Sequence, residues 1–390
     1  MSAPATAGTA EFERAPQLPP LEIGPRADRV RALLGDARIE ALLVTDLTNV
    51  RWLSGFAGSA GRAVVLPEEL VLVVDGRYGD QAKAQLAAQG VEATVLVGRT
   101  QAELVGHVAA SVAGVSRLGL ESEHVTWAER DRLAAALAPE LVATVRLVEA
   151  ERRTKDDGEL ARMEHAAAIA SRALADVFPL LDGEPAENEF ALALDDRMRV
   201  LGAEGPSFPT IVAAGPNAAL PHHSPDGRRI REGDSLICDF GALYDGYHSD
   251  MTRTALLGAV DPWLTDAYAA VEAAQAEGVA AVRAGLSGIE LDQVCRRSLS
   301  AAGLGEWFSH GTGHGVGLLI HEIPWATASS ADVLSPRDVV TVEPGVYRGA
   351  FGGIRIEDTV VVTTDGCRPL THTPKDLSCL RSAPTTSRPG

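Results

Sequence analysis

Five residues between positions 239 and 357 are of types that hold divalent cations: Asp239, Asp250, His314, Glu343 and Glu357. They fall in three runs, CDFGALYDGYHSDMTRT (Cys238–Thr254), HGTGHGVGLLIHE (His310–Glu322) and VEPGVYRGAFGGIRIEDT (Val342–Thr359). Four carboxylates and one imidazole form a mostly hard, oxygen-rich donor set. It suits manganese first, with zinc, cobalt or iron as alternatives. Ions so held would polarise a carbonyl and bring the pKa of a bound water toward neutrality.

The elements that must position these residues read as two β-hairpins. In the first, Ser235–Phe240 and His248–Leu256 flank Tyr244-Asp245-Gly246, an Asp-Gly turn signal. In the second, Val339–Val346 and Gly353–Val362 flank a glycine-rich tip, Gly349–Gly353. Residues equidistant from the centre of an antiparallel hairpin face each other. Positions 239 and 250 are centred on 244.5, inside the first turn, and positions 343 and 357 on 350, inside the tip. Each hairpin is therefore expected to present a cross-strand carboxylate pair, Cβ atoms about 5 Å apart. Like charges so placed repel unless something positive sits between them, and two metal ions about 3.5–4 Å apart would fit there. His314 lies among Gly311, Gly313, Gly315 and Gly317, and supplies a nitrogen ligand where backbone must approach closely. Any one of these acids alone reads as a solvated hairpin residue. Mirrored pairs flanked by apolar Leu236, Ile237, Val340, Val342, Ile354 and Ile356 favour a two-metal site.

With these runs the sequence resembles the pita-bread metallopeptidases, and within them the Xaa-Pro peptidases, aminopeptidase P and prolidase. The resemblance covers nearly the whole chain after the first two dozen residues, and all five ligand positions of that family are matched by residue type. It implies an α/β N-terminal creatinase-like domain followed by an α+β pita-bread catalytic domain with an internal ααββ duplication. It implies that Asp250 and Glu357 bridge both metals, that Asp239 completes one, and that His314 and Glu343 complete the other. The implied substrate is a peptide with proline in second position. The Xaa-Pro bond is a tertiary amide without an N–H, which enzymes that hold substrate as an extended strand cannot engage. By the same resemblance His222, in AGPNAALPHHSP (Ala214–Pro225), and His321 bind substrate and stabilise the oxyanion, while His310 lines the pocket for the prolyl side. Glu343 is read as proton shuttle as well as ligand. Arg355 precedes Glu357 by two and so shares its strand face. It can orient a ligating carboxylate and is counted with the substrate-binding residues. His223, His248 and His372 read as ordinary surface or core histidines.

Four other readings compete with the Xaa-Pro aminopeptidase. A prolidase cleaves dipeptides and must recognise the free carboxylate after proline, and no residue in the sequence decides between the two. Methionine aminopeptidase shares the catalytic layout but typically lacks the N-terminal domain. Creatinase shares both domains but not the metal ligands. A non-catalytic binding module of this fold usually loses ligands or histidines, and this chain keeps them.

The rest of the chain sets the bounds. At 390 residues it is long enough for two domains, and its 46% hydrophobic and 23% charged content is that of an ordinary globular protein. A net charge of −18 argues against nucleic acid or an anionic membrane surface as partner. Cys238, Cys295, Cys367 and Cys379 form no CxxC pair and are expected as reduced thiols. No run of about 18 apolar residues and no signal-peptide design is present, so a cytoplasmic location is expected. Residues 1–22 read as a tail, 23–150 as the N-terminal domain, 151–380 as the catalytic domain and 381–390 as a second tail. The boundary falls in the charged run Glu149–Gly158. Strands and helices alternate through the N-terminal domain with no glycine-rich phosphate loop, which disfavours nucleotide binding. Its stretches DLTNVRWLSGFAGSAG (Asp46–Gly61) and VDGRYGDQA (Val74–Ala82) carry the creatinase-like resemblance. Arg51, Trp52, Phe56 and Arg77 there read as loop and edge residues, with Trp52 and Phe56 serving packing. In the resembling enzymes this domain reaches over the active site, often a neighbouring subunit's, so a homodimer is expected.

Overall fold

The computed structural model describes residues 17–377. Both expected tails, apart from residues 17–22, lie outside this range, as does Cys379. Contacts divide the chain into two compact units, one over Pro20–Arg152 and one built from Arg153 onward.

The first unit is a six-stranded mixed sheet in the order β4-β3-β2-β1-β5-β6. The strands are β1 (Ala41–Val44), β2 (Gly61–Val65), β3 (Leu70–Asp75), β4 (Thr94–Gly98), β5 (Arg117–Glu121) and β6 (Glu140–Thr144). β1, β2 and β3 pair antiparallel, while β3–β4, β1–β5 and β5–β6 are parallel. Helices Gly79–Ala88 and Trp127–Ala136 supply the crossovers that parallel neighbours require. One expectation is corrected here. The stretch taken as loop contains a helix, Leu47–Ser54, so Arg51 and Trp52 are helical. Asp46 caps it, accepting from the Thr48 amide at 2.8 Å, and Gly55 ends it in the left-handed region. Trp52 and Phe56 are both fully buried, as packing residues should be.

The second unit repeats one plan twice: two helices, then a hairpin. Helix Asp157–Val177 opens on a capping box, Asp156 accepting from the Glu159 amide while Glu159 accepts from the Asp156 amide. Its buried residues Leu160, Met163, Ala167, Ala170 and Leu174 follow the helical period. Helix Glu187–Val200 follows, then the short β7 (Gly205–Pro206) and β8 (Ile211–Ala214). The first hairpin comprises β9 (Ser235–Phe240), β10 (Ala242–Tyr244), β11 (Tyr247–His248) and β12 (Met251–Leu256). The second half begins with helix Pro262–Ala281, which has proline at its first position, and helix Gly288–Ala301, capped by Ser287 with Glu290. Then come β13 (Gly313–Gly315), β14 (Glu322–Ala326), β15 (Val339–Val342), β16 (Gly345–Arg348), β17 (Gly352–Arg355), β18 (Asp358–Val362) and β19 (Cys367–Pro369).

Each half has its own apolar core. One gathers Phe190, Leu194, Met198, Leu236, Cys238 and Phe240; the other Val271, Cys295, Val340, Val342, Ile354 and Val360. Among the described residues Cys238, Cys295 and Cys367 are free thiols, and no helix is long and apolar enough to cross a membrane.

Candidate metal centre

The first hairpin does not have the expected register. Its turn is the two-residue Asp245-Gly246, both with positive φ (46° and 75°), the primed turn that an Asp-Gly pair favours. Tyr244 therefore pairs with Tyr247, and Phe240 with Met251. Asp239 stands opposite Thr252, not Asp250. The centre lies at 245.5, one residue later than the 244.5 that the Asp239–Asp250 pairing requires, which slides the pairing by two. A two-residue slide preserves the face, because side chains alternate with period two. Asp239 and Asp250 are thus diagonal neighbours, and both line the same cleft.

The second hairpin keeps the expected register: Val342 pairs with Asp358 and Gly345 with Arg355. Glu343 and Glu357 fall in the gap between these two ladders, where each backbone turns to another partner. The Glu343 amide donates to the Thr312 carbonyl at 2.8 Å, and the Glu357 amide to the Thr252 carbonyl at 3.1 Å. The gap thus frees two facing carboxylates from the sheet while tying one strand to the glycine loop and the other to the first hairpin.

All five metal-type residues line one cleft of about 570 Å³ within this unit, together with His222, His310, His321 and Arg355. Asp250, His314 and Glu357 offer ligand atoms within 4.8 Å of one another, and all three are buried. The His314 Nε2 lies 3.5 Å from Asp250 Oδ2 and 3.5 Å from Glu343 Oε1. Its Nδ1–H donates to the Gly315 carbonyl at 3.0 Å, which leaves the Nε2 lone pair facing the acids. Its amide is held by Thr341 Oγ1 at 3.1 Å. A Cβ on the preceding Gly313 would meet the Thr341 carbonyl oxygen at 2.0 Å, so only glycine lets this loop reach the sheet.

Arg355 is buried and donates to four acceptors: Asp239 Oδ2 (2.6 Å), Tyr347 Oη (2.8 Å), Thr252 Oγ1 (3.1 Å) and the Pro221 carbonyl (3.2 Å). Thr252 Oγ1 in turn donates to Glu357 Oε2 at 2.8 Å. One guanidinium thus fixes Asp239 directly and Glu357 through a hydroxyl. Tyr347 Oη lies 2.9 Å from His310 Nε2, while His310 Nδ1 donates to the Gly311 carbonyl. With both ring nitrogens engaged, His310 offers the cleft its ring surface. His222 and His321 are exposed on the cleft wall.

The electrostatics of this cluster are those of acids crowded in a dry space. Burial, then neighbouring Glu357, Asp239 and Glu343, raises the Asp250 carboxyl well above its ordinary range. Burial followed by Glu343 and Asp239 does the same to Glu357. Glu343 is pushed up to about 8, chiefly by burial, with Arg355 opposing. Burial lowers His314 to about 4, assisted by His321, so the imidazole is neutral as a ligand must be. Three buried carboxylate oxygens find no partner in the protein: Asp239 Oδ1, Asp250 Oδ1 and Glu357 Oε1. Each carries an uncompensated desolvation cost that a divalent cation would remove, so the donor set fits the metal expected for it.

Sequence reasoning passed over Trp325, Glu187 and Asp292. Trp325 lines the cleft and its ring lies parallel to His321, centroids 6.3 Å apart. Buried Asp292 accepts from the Thr312 amide and hydroxyl at 3.0 and 3.1 Å, holding the start of the His314 loop. None lies in a spacing pattern, and only the fold brings them to the site. His223, read as an ordinary histidine, has a buried carboxylate partner, Glu187, at 2.7 Å.

Comparison with known proteins identifies the family and the fold. The family model for Metallopeptidase family M24 matches residues 161–364, and that for the Creatinase/Prolidase N-terminal domain matches 26–154. A relative from Bacillus subtilis, named Uncharacterized peptidase YqhT, is 38% identical over 91% of this chain and 100% of its own length. Among solved structures, an Xaa-Pro dipeptidase from Bacillus anthracis superposes with a TM-score of 0.86 at 36% identity, covering 90% of this chain and 98% of its own. An X-Pro aminopeptidase from Thermotoga maritima does so with 0.82 at 31% identity, covering 90% and 99%. The creatinase-like and pita-bread architecture expected from the sequence is therefore the one this protein has, and the chain belongs to Metallopeptidase family M24.

Proposed function

We propose that this metallopeptidase hydrolyses the Xaa-Pro bond at the N-terminus of peptides longer than two residues, using two divalent cations, manganese first among them. Asp239, Asp250, His314, Glu343 and Glu357 hold the ions. The observation that carries the two-ion reading is the set of three partnerless buried carboxylate oxygens on Asp239, Asp250 and Glu357, contributed from both halves of the fold. One ion among three such acids and Glu343 would leave repulsion between them uncompensated.

Ions held there supply Lewis-acid polarisation of the scissile carbonyl and acidify water. The chain's own groups do the rest. Glu343 takes the proton from the attacking water and delivers it to the proline nitrogen as the C–N bond breaks; hydroxide goes to the carbonyl carbon. His321 and His222 donate N–H groups to the oxyanion as it develops. His310, its nitrogens engaged, packs its ring against the prolyl side.

The preference for longer peptides rests on charge. A dipeptidase must neutralise the carboxylate that directly follows proline. Among the described residues, Arg355 is the one guanidinium lining the cleft and no lysine lines it, and Arg355 is committed to Asp239, Tyr347, Thr252 and Pro221. The alternative, an Xaa-Pro dipeptidase, draws on the likeness to the Bacillus anthracis protein of that name. Manganese-reconstituted protein given Ala-Pro-Ala and Ala-Pro side by side separates the two. The tripeptide is expected to be cleaved with the higher kcat/KM. Cleavage of the dipeptide alone establishes the alternative, and cleavage of neither by metal-loaded protein refutes both.

A further inference from the structure

We propose that the pair formed by buried Glu187 and half-buried His223 is a positioning device that holds His222 over the reacting carbonyl, so that His223 acts on catalysis through its neighbour. This rests on the role given to His222 above.

His222 lies in the loop between β8 and β9, with both flanking residues tied. On one side the Pro221 carbonyl accepts from Arg355 at 3.2 Å. On the other, His223 Nε2 donates to Glu187 Oε2 at 2.7 Å. Glu187 opens helix Glu187–Val200 and is fully buried. Its carboxylate also accepts from the Ala214 amide at 2.7 Å, from Asn217 Nδ2 at 3.0 and 3.2 Å, and from the Asp226 amide at 3.4 Å. Those donors span residues 214 to 226, the part of the loop on either side of His222. The backbone adds two more ties, from the Glu187 amide to the Arg228 carbonyl and from the Asn188 amide to the Asp226 carbonyl, each 3.0 Å.

Glu187, His223 and Asp226 also come close enough to share one cation. The two Glu187 oxygens, however, already accept from four donor groups, and an ion would have to break these bonds. The cluster therefore works as a hydrogen-bond hub. A charged acceptor within a dry interior gives strong bonds. A hub of this kind fixes an exposed imidazole that makes no tie of its own among the contacts described, and small displacements of a catalytic group cost rate steeply.

The test is a double-mutant cycle on the metal-loaded full-length enzyme, comparing H223F, H222A and H222A/H223F, with H223Q as the variant that keeps an N–H donor. H223F is expected to lower kcat by about 10–100-fold with KM much less affected, while H223Q recovers most of the rate. In the H222A background the same H223F change is expected to cost nothing further. Hydrogen exchange on the metal-free protein supplies a second readout: peptides covering 215–226 should exchange faster in H223F than in wild type. Equal losses in both backgrounds, or wild-type kcat in H223F, overturn the proposal. Wild-type kcat in H222A overturns instead the role assigned to His222, and the positioning role with it.

Discussion

At the residue scale, the site depends on a few groups whose burial only makes sense together. Asp250 is buried among three other acids, and its Oδ1 has no partner in the protein. Asp250→Ala is expected to reduce metal content and to bring Xaa-Pro hydrolysis to background. The metal-free variant should melt no lower than metal-free wild type, because the change removes a repelling charge. Wild-type turnover in that variant would show the ligand assignment to be wrong. Arg355 is different, since it binds through geometry. Arg355→Lys retains the charge but cannot reach Asp239, Tyr347 and Thr252 at once, and activity is expected to fall by about 10–100-fold, measured as kcat/KM at saturating metal. Both residues were legible in the sequence, because Asp250 directly precedes β12 and Arg355 ends β17, each at a position set by a turn. Glu187 and Trp325 were not. A buried carboxylate at a helix start looks, in sequence, like an ordinary first-turn acid, and a lone tryptophan carries no periodicity.

At the scale of elements, the two hairpins show what turn chemistry does to register. Glu343 and Glu357 face each other as their spacing implies, because the glycine tip is centred where the arithmetic puts it. The Asp239–Asp250 pairing was wrong by two residues, since the two-residue primed turn Asp245-Gly246 centres the hairpin on 245.5 and not on 244.5. The site assignment was insensitive to the error because an even slide keeps every side chain on its face. An odd slide would have turned Asp239 into the core. The helix Leu47–Ser54 was missed for another reason: its eight residues end at a glycine-rich stretch, and its cap Asp46 is equally a turn former. The glycine loop gives this scale its own test. Gly313→Ala would drive a methyl group to 2.0 Å from the Thr341 carbonyl, so His314 must move. Metal affinity is expected to drop by at least about tenfold, read by titration calorimetry, while helix content by circular dichroism stays near wild type. Unchanged affinity would mean the loop bends more freely than its packing implies.

At the scale of the whole molecule, crowded acids make stability depend on pH and on metal together. Asp250, Glu343 and Glu357 all have folded-state carboxyl pKa values raised above their ordinary ones, Glu343 from 4.5 to about 8. For a raised group, stability is fully present below the unfolded value and is lost as pH climbs through the folded one. Metal-stripped protein is therefore expected to melt at a lower temperature at pH about 8.5 than at pH about 6, with the loss spread over the interval from 4.5 to about 8. Manganese should flatten this dependence, because cations replace the protons that relieve repulsion. A metal-free melting temperature that rises over that interval would contradict the crowding described here.

The gap in the second hairpin, where the Glu343 amide turns to Thr312 and the Glu357 amide to Thr252, has a consequence for how activity can be gained and lost. The proposed donors for the ions come from positions as far apart in the chain as 239 and 357. With the ligand set proposed above, a clipped catalytic unit that ends before Glu357 is expected to bind metal more weakly than the full chain and to leave peptides uncut. On the proposed ligand set, an ion seated across both halves would act as a clasp that closes only on the finished unit.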